Sequence, residues 1–132
     1  MSSTRYSFAF APRFRPFLRA LGIRPDRAWL EVTDDALVAR FGPWRIESSL
    51  SNVEGVEVTG PFTPLKVIGP HLSLADRGLT LGTNADRAIC IRFRDPIPGM
   101  EPLGAIRHPG LTLTVEDPEG VAADLRRVVR AT

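Results

Sequence analysis

From Trp29 to Val115 the chain is dominated by short runs in which apolar and polar residues alternate, each closed by turn-forming residues. A period of two sends one set of side chains to each face of a strand. Trp29-Leu30-Glu31-Val32-Thr33 is such a run. Asp34-Asp35 closes it, since Asp accepts turn conformations and bonds its own backbone. Leu37-Val38-Ala39-Arg40-Phe41 returns as a hairpin partner, Gly42-Pro43 turns again, and Trp44-Arg45-Ile46-Glu47-Ser48 begins a third strand. Three short strands with such short turns predict an antiparallel meander.

Further runs are Val56-Glu57-Val58-Thr59, Leu79-Thr80-Leu81, Ile89 to Arg94 and Leu111 to Val115. Tyr6-Ser7-Phe8-Ala9-Phe10 alternates aromatic with small residues and reads as another strand. Leu50 to Glu54 reads as a crossing or helical turn. Leu65-Lys66-Val67-Ile68 is a short apolar run, and Gly60-Pro61 stops the strand before it. Residues 95–110 hold four prolines and three glycines and read as one long irregular loop. Asp117-Pro118-Glu119 announces a helix: an N-cap, a proline in the first turn, and an acid at the positive end of the dipole. Val121, Leu125, Val128 and Val129 then form one apolar stripe, with Arg126, Arg127 and Arg130 in the last turns. The expected fold is mainly β. It is a strongly bent antiparallel sheet or partly open barrel of seven or eight strands, capped by the C-terminal helix.

The chain's 132 residues suit a single domain, 1–132, that needs no disulfide or metal for its core. One cysteine, Cys90, fits a reducing compartment. No membrane-spanning run or signal pattern is present in the sequence. These absences point to the cytoplasm, with attachment to a membrane face as a further option. The net charge of +2 gives no reason to expect nucleic acid as a partner.

The distribution of charge says more than its sum. Residues 1–28 comprise the N-terminal strand and a basic amphipathic segment. Arg5, Arg13, Arg15, Arg19 and Arg24 all precede the first acid, Asp26. Phe14, Phe17, Leu18 and Leu21 fall at helical spacing, and Gly22 is a natural stop. That stripe is expected to close one end of the core. The alternative is that the segment lies on an anionic surface. Arg13, Arg15, Arg19 and Arg24 are therefore the candidate residues for an anionic ligand or a membrane surface.

Residues 29–131 resemble a bacterial pleckstrin-homology-like domain. The likeness rests on the Trp29 to Val58 pattern of hairpin, strand, polar corner and valine-rich strand, and on the closing strand and helix from Leu111 to Ala131. The chain is also similar to small actinobacterial proteins of this length. The resemblance implies a binding module. In eukaryotic members of the family, basic residues flanking the first hairpin loop hold phosphoinositide headgroups. If Trp29 opens the first strand, that loop holds Asp34 and Asp35, which repel phosphate. If the Tyr6 strand is first, the connection carries Arg13, Arg15, Arg19, Arg24 and Arg27.

No catalytic motif is found. Phosphate-binding glycine loops and His-Glu-x-x-His are absent from the sequence. His71 and His108 sit beside prolines and read as solvated loop residues, without a metal role. Cys90 reads as a packed strand residue. No cofactor, metal or catalytic residue is expected. The expected function is a non-enzymatic interaction module, its partner a protein or a second copy of itself, or else an anionic membrane surface. The other reading is a small-molecule carrier or enzyme, with residues 95–110 as a lid over the open end.

Overall fold

The computed structural model describes residues 3–61, 68–72, 78–99 and 106–131. Most of Leu65 to Ile68 lies outside them, leaving only Ile68. Among the described residues there are nine strands and two α-helices. The strands are β1 Thr4–Ser7, β2 Ala28–Val32, β3 Ala36–Phe41, β4 Trp44–Ser49, β5 Val53–Thr59, β6 Gly69–Leu72, β7 Leu79–Gly82, β8 Ala88–Pro98 and β9 Arg107–Leu113. The helices are α1 Arg15–Ala20 and α2 Pro118–Ala131. The molecule is thus mainly β with a C-terminal helix.

The strands form two sheets. One is the meander β1-β2-β3-β4; the other has the order β5-β8-β9-β7-β6. Every pairing is antiparallel except β7 with β9, which is parallel. The predicted hairpins form where expected. At the first turn the Thr33 amide donates to the Ala36 carbonyl at 2.9 Å, and the Thr33 hydroxyl accepts from the Ala36 amide at 3.1 Å. At the second, Gly42 holds φ +62°. A Cβ at Gly42 would come within 2.9 Å of the Gly22 carbonyl oxygen, so both conformation and space require glycine.

The inward faces supply one core. Leu30, Leu37, Phe41 and Ile46 of the first sheet and Leu81, Ile89, Ile91 and Leu113 of the second are fully buried. The segment after β1 stitches the sheets together. Phe8 bridges to Val115, the Ala9 amide donates to the Thr114 carbonyl, and the Ala11 amide donates to the Thr83 carbonyl, the last two at 3.0 Å. The helix α2 lies against β5, β8 and the 3-10 turn Leu50–Asn52. Its apolar stripe faces the core: Val121 and Leu125 are fully buried, and Val128 and Val129 pack at the margin. Asp117 caps it, accepting from the Gly120 amide at 3.0 Å.

Two expectations need correction. Residues 95–98 and 107–110 are not loop: they extend β8 and β9, with Ile97 opposite His108 and Pro98 opposite Arg107. A register shift between Arg92 and Ile97 lets Pro96 and Pro109 sit where the ladder is irregular. His108 is buried at 5% exposure within β9, and His71 is half-buried in β6, so neither is a solvated loop residue. Burial follows from strand pairing with β8 and β7, which the neighbouring prolines concealed.

Candidate functional site

Because β1 pairs with β2, the Tyr6 strand opens the first sheet. The first connection of that sheet is therefore the basic segment, carrying Arg13, Arg15, Arg19, Arg24 and Arg27. The connection begins with a 3-10 turn at Pro12–Phe14, continues as the six-residue α1, and reverses at Gly22. The Gly22 amide donates to the Arg19 carbonyl at 3.0 Å and the Ile23 amide to the Leu18 carbonyl at 2.9 Å. This double reversal needs the left-handed backbone that Gly22 adopts, at φ +82°. Leu18 and Ile23, brought together by the reversal, are both sealed in the core.

The expected apolar stripe does not close the core as a unit. Leu18 is fully buried and Phe14 packs partly against the core. Phe17 is 55% exposed and Leu21 38%. With Leu18 pointing down, helical geometry puts Phe17 and Leu21 on one flank of α1 and Arg15 and Arg19 on the other. Pro16 and Ala20 form the exposed crest between them. The apolar flank approaches the start of β6. A Cβ built on Gly69 would meet Leu21 Cδ1 at 3.6 Å and Phe17 Cε2 at 3.7 Å.

The basic flank faces a cleft of about 530 Å³ lined by Phe10, Arg15, Pro16, Arg19, Ile23, Arg24, Pro25 and Asp26. Three of the four candidate arginines thus share one concavity. Arg13 does not; its guanidinium lies over its own neighbour, the Phe14 ring, at 4.5 Å. Arg24 pairs with Asp26 at 3.5 Å, both exposed. The sequence reading missed Phe10, Ile23 and Asp26 as lining residues. The i, i+4 spacing of Arg15 and Arg19 was available, but the turn that brings Arg24 back beside them was not.

Two other clefts compare poorly as anion sites. One of about 330 Å³ lies between β5 and α2, lined by Val53, Val56, Leu125 and Val129. Its Arg126 donates to the Val56 carbonyl at 2.9 Å. The other, of about 370 Å³, holds Asp86, Arg87 and Glu116, and Arg87 is paired with Glu119.

Elsewhere, the Tyr6 hydroxyl donates to Asp124 at 2.9 Å, tying β1 to α2. Burial, reinforced by that bond and by the Asp124 charge, pushes the Tyr6 phenol up to about 12. Cys90 is half-buried on the outer face of β8 beside Glu57 and Thr112. Among the described residues, no group of three or more His, Cys, Asp or Glu is placed to hold a metal ion, and no helix is long and apolar enough to cross a membrane. Compared with known protein families, with curated proteins and with solved structures, the chain matches none.

Proposed function

We propose that the chain is a non-enzymatic binding module of pleckstrin-homology-like fold that attaches peripherally to anionic membranes through α1. The order of a four-strand meander, a second sheet and a closing helix supports the fold reading. The observation that carries the function is the exposure of Phe17 and Leu21 on a helix ringed by arginines, with no acid before Asp26. A plane laid on the Pro16–Ala20 crest meets both flanks. The apolar side chains sink below it, while the long arginines reach headgroup phosphates. Burying two partly exposed apolar side chains is worth about 2–3 kcal/mol. Each arginine near an anionic surface adds about 1 kcal/mol. Neither contribution suffices alone, so attachment is weak, reversible and sensitive to salt.

Co-sedimentation with phosphatidylglycerol-containing vesicles, against phosphatidylcholine alone, tests this at low and high salt. Binding is expected only to the anionic vesicles at low salt. Both Arg13/Arg15/Arg19→Ala and Phe17/Leu21→Ser abolish it. Absence of binding at low salt removes the reading and leaves a protein partner as the interaction to seek.

A further inference from the structure

We infer that the cleft on the basic flank of α1 is a binding site for a small amphiphilic anion, a single carboxylate or phosphate group on an apolar body. Its volume, about 530 Å³, falls within the range of roughly 300–1,000 Å³ typical of small-molecule sites. The lining is divided in the way such a ligand requires. Phe10, half-buried, and Ile23, only 1% exposed, give an apolar floor, with Pro16 and Pro25 beside it. Arg15, Arg19 and Arg24 supply cations, against one acid, Asp26.

Arg24 shares that acid. Arg15 and Arg19, one helical turn apart, pair with no carboxylate among the described residues and remain available. A guanidinium grips a carboxylate or phosphate by two parallel hydrogen bonds, so this pair can hold one anionic group between them. Asp26 steers that group towards Arg15 and Arg19. A bare inorganic anion would leave the Phe10–Ile23 floor uncovered, and an uncharged apolar molecule would leave the arginines unanswered. The site shares Arg15 and Arg19 with membrane docking but lies on the flank of α1 opposite Phe17 and Leu21, so it does not need the apolar side chains that docking uses. The same chemistry arrives on a soluble acid or on a single-chain lipid.

The test is a titration of the whole chain with octyl phosphate and with octanoate below their micelle concentrations. Octanol and inorganic phosphate are the controls, read by thermal shift and by amide chemical shifts. Both amphiphilic anions are expected to raise the melting temperature and to move the Phe10 and Ile23 amides. Arg15→Ala/Arg19→Ala, and Arg19→Gln as a milder change, weaken binding about tenfold or more. Octanol binding as well as octyl phosphate, inorganic phosphate matching it, or undiminished binding by both arginine variants would each overturn the site. Phe17/Leu21→Ser must retain octyl phosphate even where it releases vesicles. Absence of vesicle binding by the unmutated chain, with octyl phosphate still bound, therefore fails the docking reading and keeps this one. Tighter binding to vesicles carrying lysophosphatidate than to phosphatidylglycerol assigns the ligand to lipid. Equal binding, with octyl phosphate bound in solution, assigns it to a soluble molecule; either result supports the site.

Discussion

Replacing Thr83 by Val tests how the arginine-bearing segment is fastened to the second sheet. Thr83 is fully buried, and its hydroxyl donates to the Ala9 carbonyl at 2.6 Å. That hydroxyl has one proton, so in its 3.0 Å contact with the Thr114 hydroxyl it must be the acceptor. Valine removes both bonds with little change of shape. The Ala9 carbonyl keeps the Asn84 amide at 2.7 Å and loses only one partner. The buried Thr114 hydroxyl proton loses its acceptor altogether. One lost bond at about 1 kcal/mol plus one stranded donor at about 1–2 kcal/mol gives about 2–3 kcal/mol. With an unfolding entropy of about 2.1 cal/mol/K per residue, the melting temperature falls by about 7–11 °C. Thr80→Val is the control, because Thr80 is half-buried on the outer face of β7 and its hydroxyl has no partner among the described residues. Urea unfolding measures both variants, and hydrogen exchange reads the Ala9 and Ala11 amides. If Thr83→Val lies within about 0.5 kcal/mol of Thr80→Val, the surface-mutation range, the clasp contributes nothing and the reasoning fails.

Three further outcomes are expected. Asp117→Ala should cost about 1 kcal/mol through loss of the N-cap of α2. Gly120→Ala should gain nothing, because its Cβ would displace the capping carboxylate and the lost cap offsets the helix preference of alanine; in the Asp117→Ala background the same change should stabilise by about 1 kcal/mol, which a double-mutant cycle by thermal unfolding checks. Leu18→Ala should cost about 2–5 kcal/mol, since this is the one α1 side chain fully in the core, and a loss under about 1 kcal/mol would show α1 to be held otherwise. Tyr6 keeps its proton in the folded state up to about pH 12, whereas the unfolded chain loses it near 10. Its contribution is therefore full below about pH 10 and lost as pH rises towards 12. Tyr6→Phe should flatten the fall in stability over that window, measured by urea unfolding at stepped pH.

What the sequence discloses and what it hides divide along a physical line. The β2-β3-β4 part of the meander was legible because its turns are local; the place of β1 was not, because the basic segment separates it from β2. Asp34, Asp35 and Gly42-Pro43 each determine where a neighbouring strand must return. The α2 helix was legible because cap, proline and stripe lie within one short segment. The parallel pairing of β7 with β9 was not, since Leu79 meets Leu111 across a long stretch of chain and no local pattern names a partner. The proline-rich ends of β8 and β9 looked like loop because proline forfeits a donor. That loss is tolerable where the register shifts, and alternation weakens there too. In the candidate site, the charges and the spacing of Arg15 and Arg19 were legible. The division of the apolar stripe was not, because spacing defines a helix face without saying how much of it the rest of the molecule covers.

That division explains how a six-residue helix can keep two kinds of surface exposed. Such a helix does not persist alone, because nucleation consumes more than so few hydrogen bonds return. An ordinary short helix would bury its whole apolar face to survive, leaving Phe17 and Leu21 unavailable. Here one member of that face works with two anchors outside it. Leu18 reaches the core, Gly22 reverses the chain so that Ile23 packs beside it, and the clasp on Ala9 holds the approach. Phe17 and Leu21 thereby need only approach the start of β6 without being fully covered, and Arg15 and Arg19 stay outside the core. One flank retains exposed apolar area that folding alone would have favoured covering; the other retains arginines that no carboxylate among the described residues neutralises. Surface of both kinds on one rigidly anchored turn is what a docking element requires, since a floppy segment would lose ordering entropy on every encounter.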